Sequence, residues 1–436
     1  MDNLWKKESA TAEYVDLFAS VKHPSFDMHV ESLKTQPTRK DYQQSTEWRL
    51  KGNEFFQQEN WVEAMKCYNQ SLCFAEVGTE NVALAYSNRS ACNFHLKLYN
   101  EVLIDIELAK KANLPDRFVL NLEQRKNESM KLMSTFERKA EFEPKLSYEA
   151  EKNFPCMANV MEIKYNEEFG RHLVAKCDIP VGQTVLVEND IPAIRDDILS
   201  CYNCLQVLVN FIACPNCPDV KFCTLDCLNR NETHKLECGS FLPRMYFEMR
   251  HQIKTLLMAI TSFPDVDALM QFVEGTLLEN PETLPTSLND LKSKYHFFFK
   301  LSTSAPFSHE LMEAYKVYKT AINLPKVSSR FDNDRKKRFL MHVSMHHVLV
   351  YNTNKFGSDY SSFVANVSSL LNHSCAPNIV SYIFSRNIIS VSGRPIRKGE
   401  QLFFNYLGFN DTSSNANERK AKLKASWGTR VQGQKF

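Results

Sequence analysis

Between Cys201 and Cys238 the sequence places eight soft or borderline metal ligands within thirty-eight positions: Cys201-x2-Cys204, Cys214-x2-Cys217, Cys223-x3-Cys227 and His234-x3-Cys238. No other stretch restricts the fold as strongly. Zinc takes four thiolate or imidazole ligands in a tetrahedral shell, and a two-residue gap lets one tight turn present two of them to one ion. Eight ligands therefore imply two zinc ions. A disulfide cluster is the alternative chemistry, and it requires an oxidising compartment. The segment is too short for an apolar core of its own, so bound metal must supply much of its folding free energy.

The other six cysteines, Cys67, Cys73, Cys92, Cys156, Cys177 and Cys375, are scattered irregularly. That pattern suits reduced thiols, and a cytoplasmic and nuclear location is expected. The 436 residues leave room for more than one domain with its own core. A formal charge of +2 argues against general polyanion binding, and no sequence-specific nucleic acid contact is expected. The start, Met1-Asp2-Asn3-Leu4-Trp5-Lys6-Lys7, lacks the apolar core of a secretory signal. No run approaches the ~18 apolar residues of a membrane helix, so no membrane association is expected.

The chain on either side of the cysteine block changes character twice. Residues 1–45 are a lead-in without clear periodicity. From Thr46 the pattern is helical: Glu47 to Phe56, then a helix from Trp61 opened by Asn60 with Glu63 three residues on, a capping-box arrangement. Val82 to Leu98 and Asn100 to Ala112 give two more helices, and Pro115 to about Lys139 begins a further one. Small Ala64 and Ala91 permit close helix contacts. Residues 140–156, with Pro144 and Pro155 close by or inside, read as a linker. Leu173-Val174-Ala175 and Thr184-Val185-Leu186-Val187 then alternate as strands, joined through the turn signal Ile179-Pro180-Val181-Gly182. After the cysteine block, residues 239–350 are helical again. Within them His342 and His346 share a helix face, with geometry for a metal but more simply a core pair. Arg335-Lys336-Lys337-Arg338 is either a nuclear import patch or a solvated face. Beyond Tyr351, Ile379 to Phe384 and Ile388 to Val391 form a hairpin around Ser385-Arg386-Asn387. Neither flank has enough strands for a stable sheet, so the two must pair across the insertions.

Asn372-His373-Ser374-Cys375-Ala376-Pro377-Asn378, followed by Phe404-Asn405-Tyr406, is the stretch that carries chemistry. Taken alone it fits a fragment of a Ser/His or Cys/His hydrolase, or a structural polar turn. No Gly-x-Ser-x-Gly elbow accompanies it.

These motifs resemble the SET domain of lysine methyltransferases, with Gly170-Arg171-His172-Leu173-Val174-Ala175 resembling its opening glycine motif. The cysteine block resembles the MYND zinc finger ligand for ligand. Residues 46–139 resemble tetratricopeptide repeats, with Gly52, Ala64, Tyr68, Asn88, Arg89 and Ala109 on signature positions and Val102 where alanine is usual. Ala64 and Val102 lie 38 residues apart, against a usual repeat of about 34. Together the chain resembles the SET and MYND family, in its branch bearing tetratricopeptide repeats. The fold this implies is α+β and multidomain: helical repeats, then a split β-rich SET domain interrupted by a two-zinc finger and a helical insert. The expected divisions are 1–45, 46–139, 140–156, 157–200 for the first part of SET, 201–238 for the finger, 239–350 for the insert, 351–408 for the SET core and 409–436 for the tail.

The resemblance also implies roles. Cys201, Cys204, Cys223 and Cys227 would share one zinc, and Cys214, Cys217, His234 and Cys238 the other. Gly170, Arg171, His172, Asn354, Asn372, His373 and Tyr406 would hold S-adenosylmethionine. Tyr406 would also line the channel for the substrate protein's lysine as the catalytic residue. In the carboxylate-gripping branch of these repeats, Arg49, Asn53, Asn88 and Arg125 match positions that bind a chaperone C-terminal tail, while Asn121 stands where a lysine is expected. The finger implies proline-containing peptide partners. In the family Cys375 joins three C-terminal cysteines around a third zinc; residues 409–436 contain none, so that zinc is expected to be absent. Trp427 replaces a channel tyrosine, and Thr429 an aromatic residue over the cofactor. Two functions follow: a methyltransferase of protein lysines, histone or not, or a catalytically impaired adaptor for transcription or chaperones.

Overall fold

The computed structural model describes residues 39–133, 144–189, 200–204, 206–208, 210–245, 247–303, 308–358, 361–384, 387–407 and 415–427. Most of the lead-in, residues 134–139 of the stretch expected to run to Lys139, and the tail with Thr429 lie outside them. Two compact units divide these residues, one over 31–142 with 197–245, the other over 143–196 with 246–436. The finger is thus grouped with the helical repeats, and the two strand-bearing flanks with each other.

The helical unit opens with α1 (Tyr42–Gln57), α2 (Trp61–Phe74), α3 (Glu80–His95), α4 (Tyr99–Lys111) and α5 (Asp116–Met133). The first helix starts four residues before the expected Thr46, capped by Asp41, whose side chain accepts from the Gln44 amide. Asn60 caps α2 by accepting from the Glu63 amide at 3.4 Å. Glu63 itself pairs with Lys66, so only half of the capping box forms. The helices α1 and α2 begin at residues 42 and 61, α3 and α4 at 80 and 99, a shift of 38 in each case. The turns repeat too: Glu59 and Lys97, also 38 apart, both take left-handed backbone with φ of 59° and 61°. Ala64 and Val102, the equivalent positions of α2 and α4, are fully buried. Gly52 in α1 is required by packing, since a Cβ there would stand 2.6 Å from Cε1 of Tyr68.

The chain then forms β1 (Ala150–Glu151), β2 (Phe154–Ala158), β3 (Met161–Asn166), β4 (Gly170–Ala175) and β5 (Thr184–Asn189). The end of the expected linker 140–156 therefore carries β1 and the start of β2; Pro155 is tolerated because it faces solvent in a short ladder. The finger follows with β6 (Ile212–Ala213), β7 (Lys221–Phe222), α6 (Leu225–Arg230) and α7 (Glu232–Glu237).

Next come α8 (Phe247–Thr261), α9 (Val266–Leu278), α10 (Leu291–Phe299), α11 (Ser308–Ile322), α12 (Pro325–Ser328) and α13 (Asp334–Asn354). Among the described residues no single helix is long and apolar enough to cross a membrane; α8 and α9 reach that composition only together, with a 102° bend between them. His342 and His346 are buried in α13, and the His346 Nε2–H donates to the Phe299 carbonyl at 2.8 Å, which suits a core pair. The basic run at the start of α13 meets acids: Arg335 pairs with Glu274, Lys336 with Asp267 and Asp332, and Lys337 with Asp334.

The last elements are β8 (Phe356–Ser358), β9 (Ser361–Phe363), β10 (Asn372–His373), β11 (Ile379–Phe384), β12 (Asn387–Ser392), β13 (Phe403–Phe404) and α14 (Ala416–Trp427). The expected hairpin is present, with Phe384 opposite Asn387. The main sheet has the order β1-β2-β5-β12-β11. Its centre is the antiparallel pair β5–β12, so the flanks do pair across some 200 residues of intervening chain. β4 does the same with residues 400–402, through the Ala175 amide to Glu400 and the Leu402 amide to Leu173. β11 ends the sheet, and its Tyr382, Ile383 and Phe384 are exposed.

Candidate active site and metal centres

The eight cysteine-block ligands gather into two interleaved sets, Cys201, Cys204, Cys223 and Cys227, and Cys214, Cys217, His234 and Cys238; within each set the ligand atoms all lie within 4.8 Å of one another. Local structure presents them. Thr224 caps α6 by accepting from the Cys227 amide, Asn231 caps α7 by accepting from the His234 amide, and the Cys238 amide donates to the His234 carbonyl. The Cys204–Cys223, Cys223–Cys227 and Cys214–Cys238 sulfurs are 3.5, 3.4 and 3.7 Å apart. A disulfide would bring them to about 2.05 Å, whereas a tetrahedron with zinc–sulfur bonds of about 2.3 Å has edges of about 3.8 Å. His234 Nε2 is 3.2 Å from Cys214 Sγ and 3.6 Å from Cys217 Sγ, also tetrahedral edges. Every thiol is free. The donor set and its spacing fit zinc in both places.

Glu237 has no counterpart in the sequence reading. Fully buried one helical turn beyond His234, it places Oε1 3.6 Å from His234 Nδ1. That distance is beyond hydrogen-bond length, and it leaves a buried carboxylate facing the imidazole nitrogen that points away from the cysteines. The only trace in sequence is an acidic residue three after the histidine.

In the other unit, the tight β3–β4 turn brings Gly170 into left-handed backbone at φ +61°, with no atom within 4 Å of where a side chain would begin. That open space lets a ligand approach the main chain closely. His172 is buried, its Nδ1–H donating to the Gly170 carbonyl at 2.8 Å. Arg171 donates to the carbonyl of Lys300 at 2.5 Å and to Ser302 Oγ at 3.1 Å. Asn354, the last residue of α13, donates to the carbonyls of Ser302 and Val350, both at 2.7 Å. Ser302 thus joins Arg171 to Asn354 although nothing in its neighbourhood of sequence marks it.

Asn372 donates to the Phe169 carbonyl at 3.0 Å, which ties the Asn-His pair to the β3–β4 turn. β10 runs parallel to β13, with Asn372 opposite Phe403 and His373 opposite Phe404. This short ladder sets Tyr406 against His373. The Tyr406 amide donates to His373 Nδ1 at 3.0 Å, and the Tyr406 hydroxyl donates to the Leu371 carbonyl at 2.8 Å. With Nδ1 accepting, a neutral His373 carries its proton on Nε2, 3.3 Å from Cys375 Sγ. Burial, helped by the Arg419 guanidinium, pushes the His373 pKa down to about 4, so the ring is neutral at physiological pH. The rings of Phe356, Phe404, Tyr406 and His373 follow one another at centroid separations of 6.0, 6.4 and 5.3 Å. All seven predicted cofactor residues are therefore linked in one neighbourhood.

Two further residues hold this arrangement. Asn378 accepts from the Phe403 amide at 2.7 Å and donates to the Gln401 carbonyl at 2.8 Å. Buried Glu188 on β5 accepts from the Val367 and Ser368 amides and from Ser368 Oγ, at 2.7 to 2.9 Å, fixing the turn that leads into Asn372. Asn378 stands within the motif, but no local pattern reveals Glu188.

Of the four predicted peptide-binding residues, Asn88 belongs to α3, and Arg49 and Asn53 of α1 and Arg125 of α5 each bond to α3. Asn53 Oδ1 accepts from Asn88 Nδ2 at 3.0 Å and from the Tyr68 hydroxyl at 2.9 Å. Arg125 donates to the Ser87 carbonyl and Ser90 Oγ, on either side of Asn88. Arg49 instead donates to Asn81, two helical turns away. Asn53, Asn88 and Arg125 meet about the middle of α3, and Arg49 stands one helical turn before Asn53 on α1.

The sequence profile of the SET domain matches residues 170–407, more than half of the chain. The chain is 25% identical over 229 residues to the protein-lysine N-methyltransferase SMYD4 of Danio rerio, covering 46% of this chain and 30% of that protein. It is 24% identical over 365 residues to the Mus musculus protein of the same name, covering 65% of this chain and 45% of that one. It thus spans less than half the length of these relatives. A solved SET domain, that of LSMT bound to lysine and AdoHcy, is 15% identical and aligns over 62% of this chain and 52% of its own, with a TM-score of 0.31 that leaves the likeness without weight.

Proposed function

Since the chain belongs to the SET domain family, we propose that it is an S-adenosylmethionine-dependent N-methyltransferase acting on lysine side chains of proteins. The observation that carries this reading is the meeting of Gly170, Arg171, His172, Asn354, Asn372, His373 and Tyr406 around the β10–β13 ladder. The bound cofactor supplies a methyl group on a sulfonium, open to attack by a neutral amine.

In this reading the open backbone at Gly170 admits the cofactor. Asn372 and Asn354 are held in fixed orientation by backbone carbonyls, so they are ready to meet polar groups at little further cost in entropy. His373 stays neutral and accepts the Tyr406 amide, which keeps the tyrosine in place. The Tyr406 hydroxyl proton is committed to Leu371, so its oxygen meets the lysine amine as an acceptor and directs the amine's lone pair towards the methyl group. Positioning of this kind, with water excluded, is most of what methyl transfer needs once the amine has lost its proton.

We further propose that the two cysteine-rich sets bind one zinc each, and that the 38-residue hairpins are tetratricopeptide repeats. Their peptide site would centre on Arg49, Asn53, Asn88 and Arg125, with the finger presenting a second surface to proline-containing peptides. Calorimetric titration of the zinc-loaded protein with S-adenosylmethionine tests the central reading. Saturable heat that disappears in His373→Ala supports it; no heat from a folded, zinc-loaded protein rules out the methyltransferase and leaves an adaptor.

A further inference from the structure

The finger and the helical hairpins are tied by a polar network that neither could bury alone. Arg89 of α3 and Asp105 of α4 are wholly buried and joined by two hydrogen bonds of 2.9 and 2.7 Å. The same guanidinium donates to Asn69 Oδ1 at 2.9 Å and, across to the finger, to the Phe211 carbonyl at 3.0 Å. Asn93 donates to Asp105 and to Asn210 Oδ1 of the finger, both at 3.0 Å, and Asn210 donates back to the Glu101 carbonyl at 2.9 Å. The guanidinium lies over the rings of Tyr86 and Phe211, 5.3 and 5.0 Å from their centroids.

Asn210 and Phe211 lead directly through β6 to the ligand Cys214. Around them the apolar core is continuous: Leu72, Cys73, Leu84 and Ile106 of the helices pack in one cluster with Leu208, Val220 and Phe222 of the finger. A buried ion pair whose remaining donors are met by a neighbouring segment loses that compensation when the segment unfolds. A finger with so small a core keeps its shape only while its metals are bound.

We infer that zinc in the finger controls the fold of α3 and α4, and with it the peptide face along α3, so that finger and hairpins fold and unfold as one metal-dependent unit. This rests on the reading that the two cysteine-rich sets hold zinc. By linkage the coupling is mutual: whatever loosens the network on the helix side also weakens zinc binding.

Hydrogen–deuterium exchange of the full chain, with zinc release followed in parallel by a chromogenic chelator, tests this. Removing zinc should speed exchange of amides in residues 80–111 by about tenfold or more, as local opening does, while residues 334–354 stay protected. Asn210→Ala, which touches neither ligand nor ion pair, should raise the rate of zinc release about tenfold, and Glu128→Gln on the exposed side of α5 should not. Loss of zinc with residues 80–111 still protected, or an unchanged release rate in Asn210→Ala, overturns the coupling while leaving the metal sites standing. A folded protein that neither carries nor takes up zinc overturns both.

Discussion

Tyr406 is held at both ends, its amide by His373 and its hydroxyl by Leu371. Tyr406→Phe keeps the first bond and removes the second, so cofactor affinity should hardly change while turnover falls about a hundredfold, the scale of losing one oriented polar group at a reacting centre. Single-turnover methyl transfer beside a binding titration checks the split; equal losses in both would make Tyr406 merely structural. His347 makes a different prediction. Burial holds it neutral well below the usual histidine range, with His346 adding to the effect and the Tyr295 hydroxyl 3.1 Å from Nε2. The unfolded chain takes up a proton near pH 6.5 that the folded chain refuses. Its contribution to stability is therefore complete above that value and lost progressively as pH falls below it. Denaturant midpoints measured from pH 7.5 to 5 should drop less steeply in His347→Phe than in wild type. At this scale the gathering of the cysteine block into two sets was the most legible, because ligands paired at short spacing are brought together by one tight turn. It concealed Glu237, Ser302 and Glu188, whose partners are near only in space.

Among the elements, the helical hairpins were readable because helical periodicity and small residues such as Ala64 and Ala91 are local features of the chain itself. The strands at 150–158 were not, since charge and Pro155 hid an edge ladder whose register is set by β5. Gly52 shows how packing overrides helix preference. Alanine normally stabilises a helix relative to glycine by about 0.5–1 kcal/mol. Here its Cβ would strike the buried Tyr68 ring, and overpacking costs about 1–3 kcal/mol. Thermal melts should thus show Gly52→Ala destabilised. Gly275→Ala, at an exposed position of α9 where nothing stands within 4 Å, should instead gain stability.

For the whole molecule, the need for flanks to pair across the insertions follows from strand counts alone. The grouping of the finger with the helices does not, because it depends on Arg89 and Asn93 finding Phe211 and Asn210 across more than a hundred residues. The paired flanks predict that a chain ending at residue 303 lacks both β12 and four of the seven proposed cofactor residues. Such a fragment should show no rise in melting temperature with S-adenosylmethionine, and a normal rise would contradict the assembly described for β5 and β12. The outer position of β11 has a practical side. Among the described residues no strand pairs with the outer side of β11, beside exposed Tyr382, Ile383 and Phe384, and an outer strand of this kind is a template for strand addition between copies. Concentrated solutions should slowly aggregate from this edge, light scattering should report it, and Ile383→Lys should extend shelf life without touching either metal or cofactor residues.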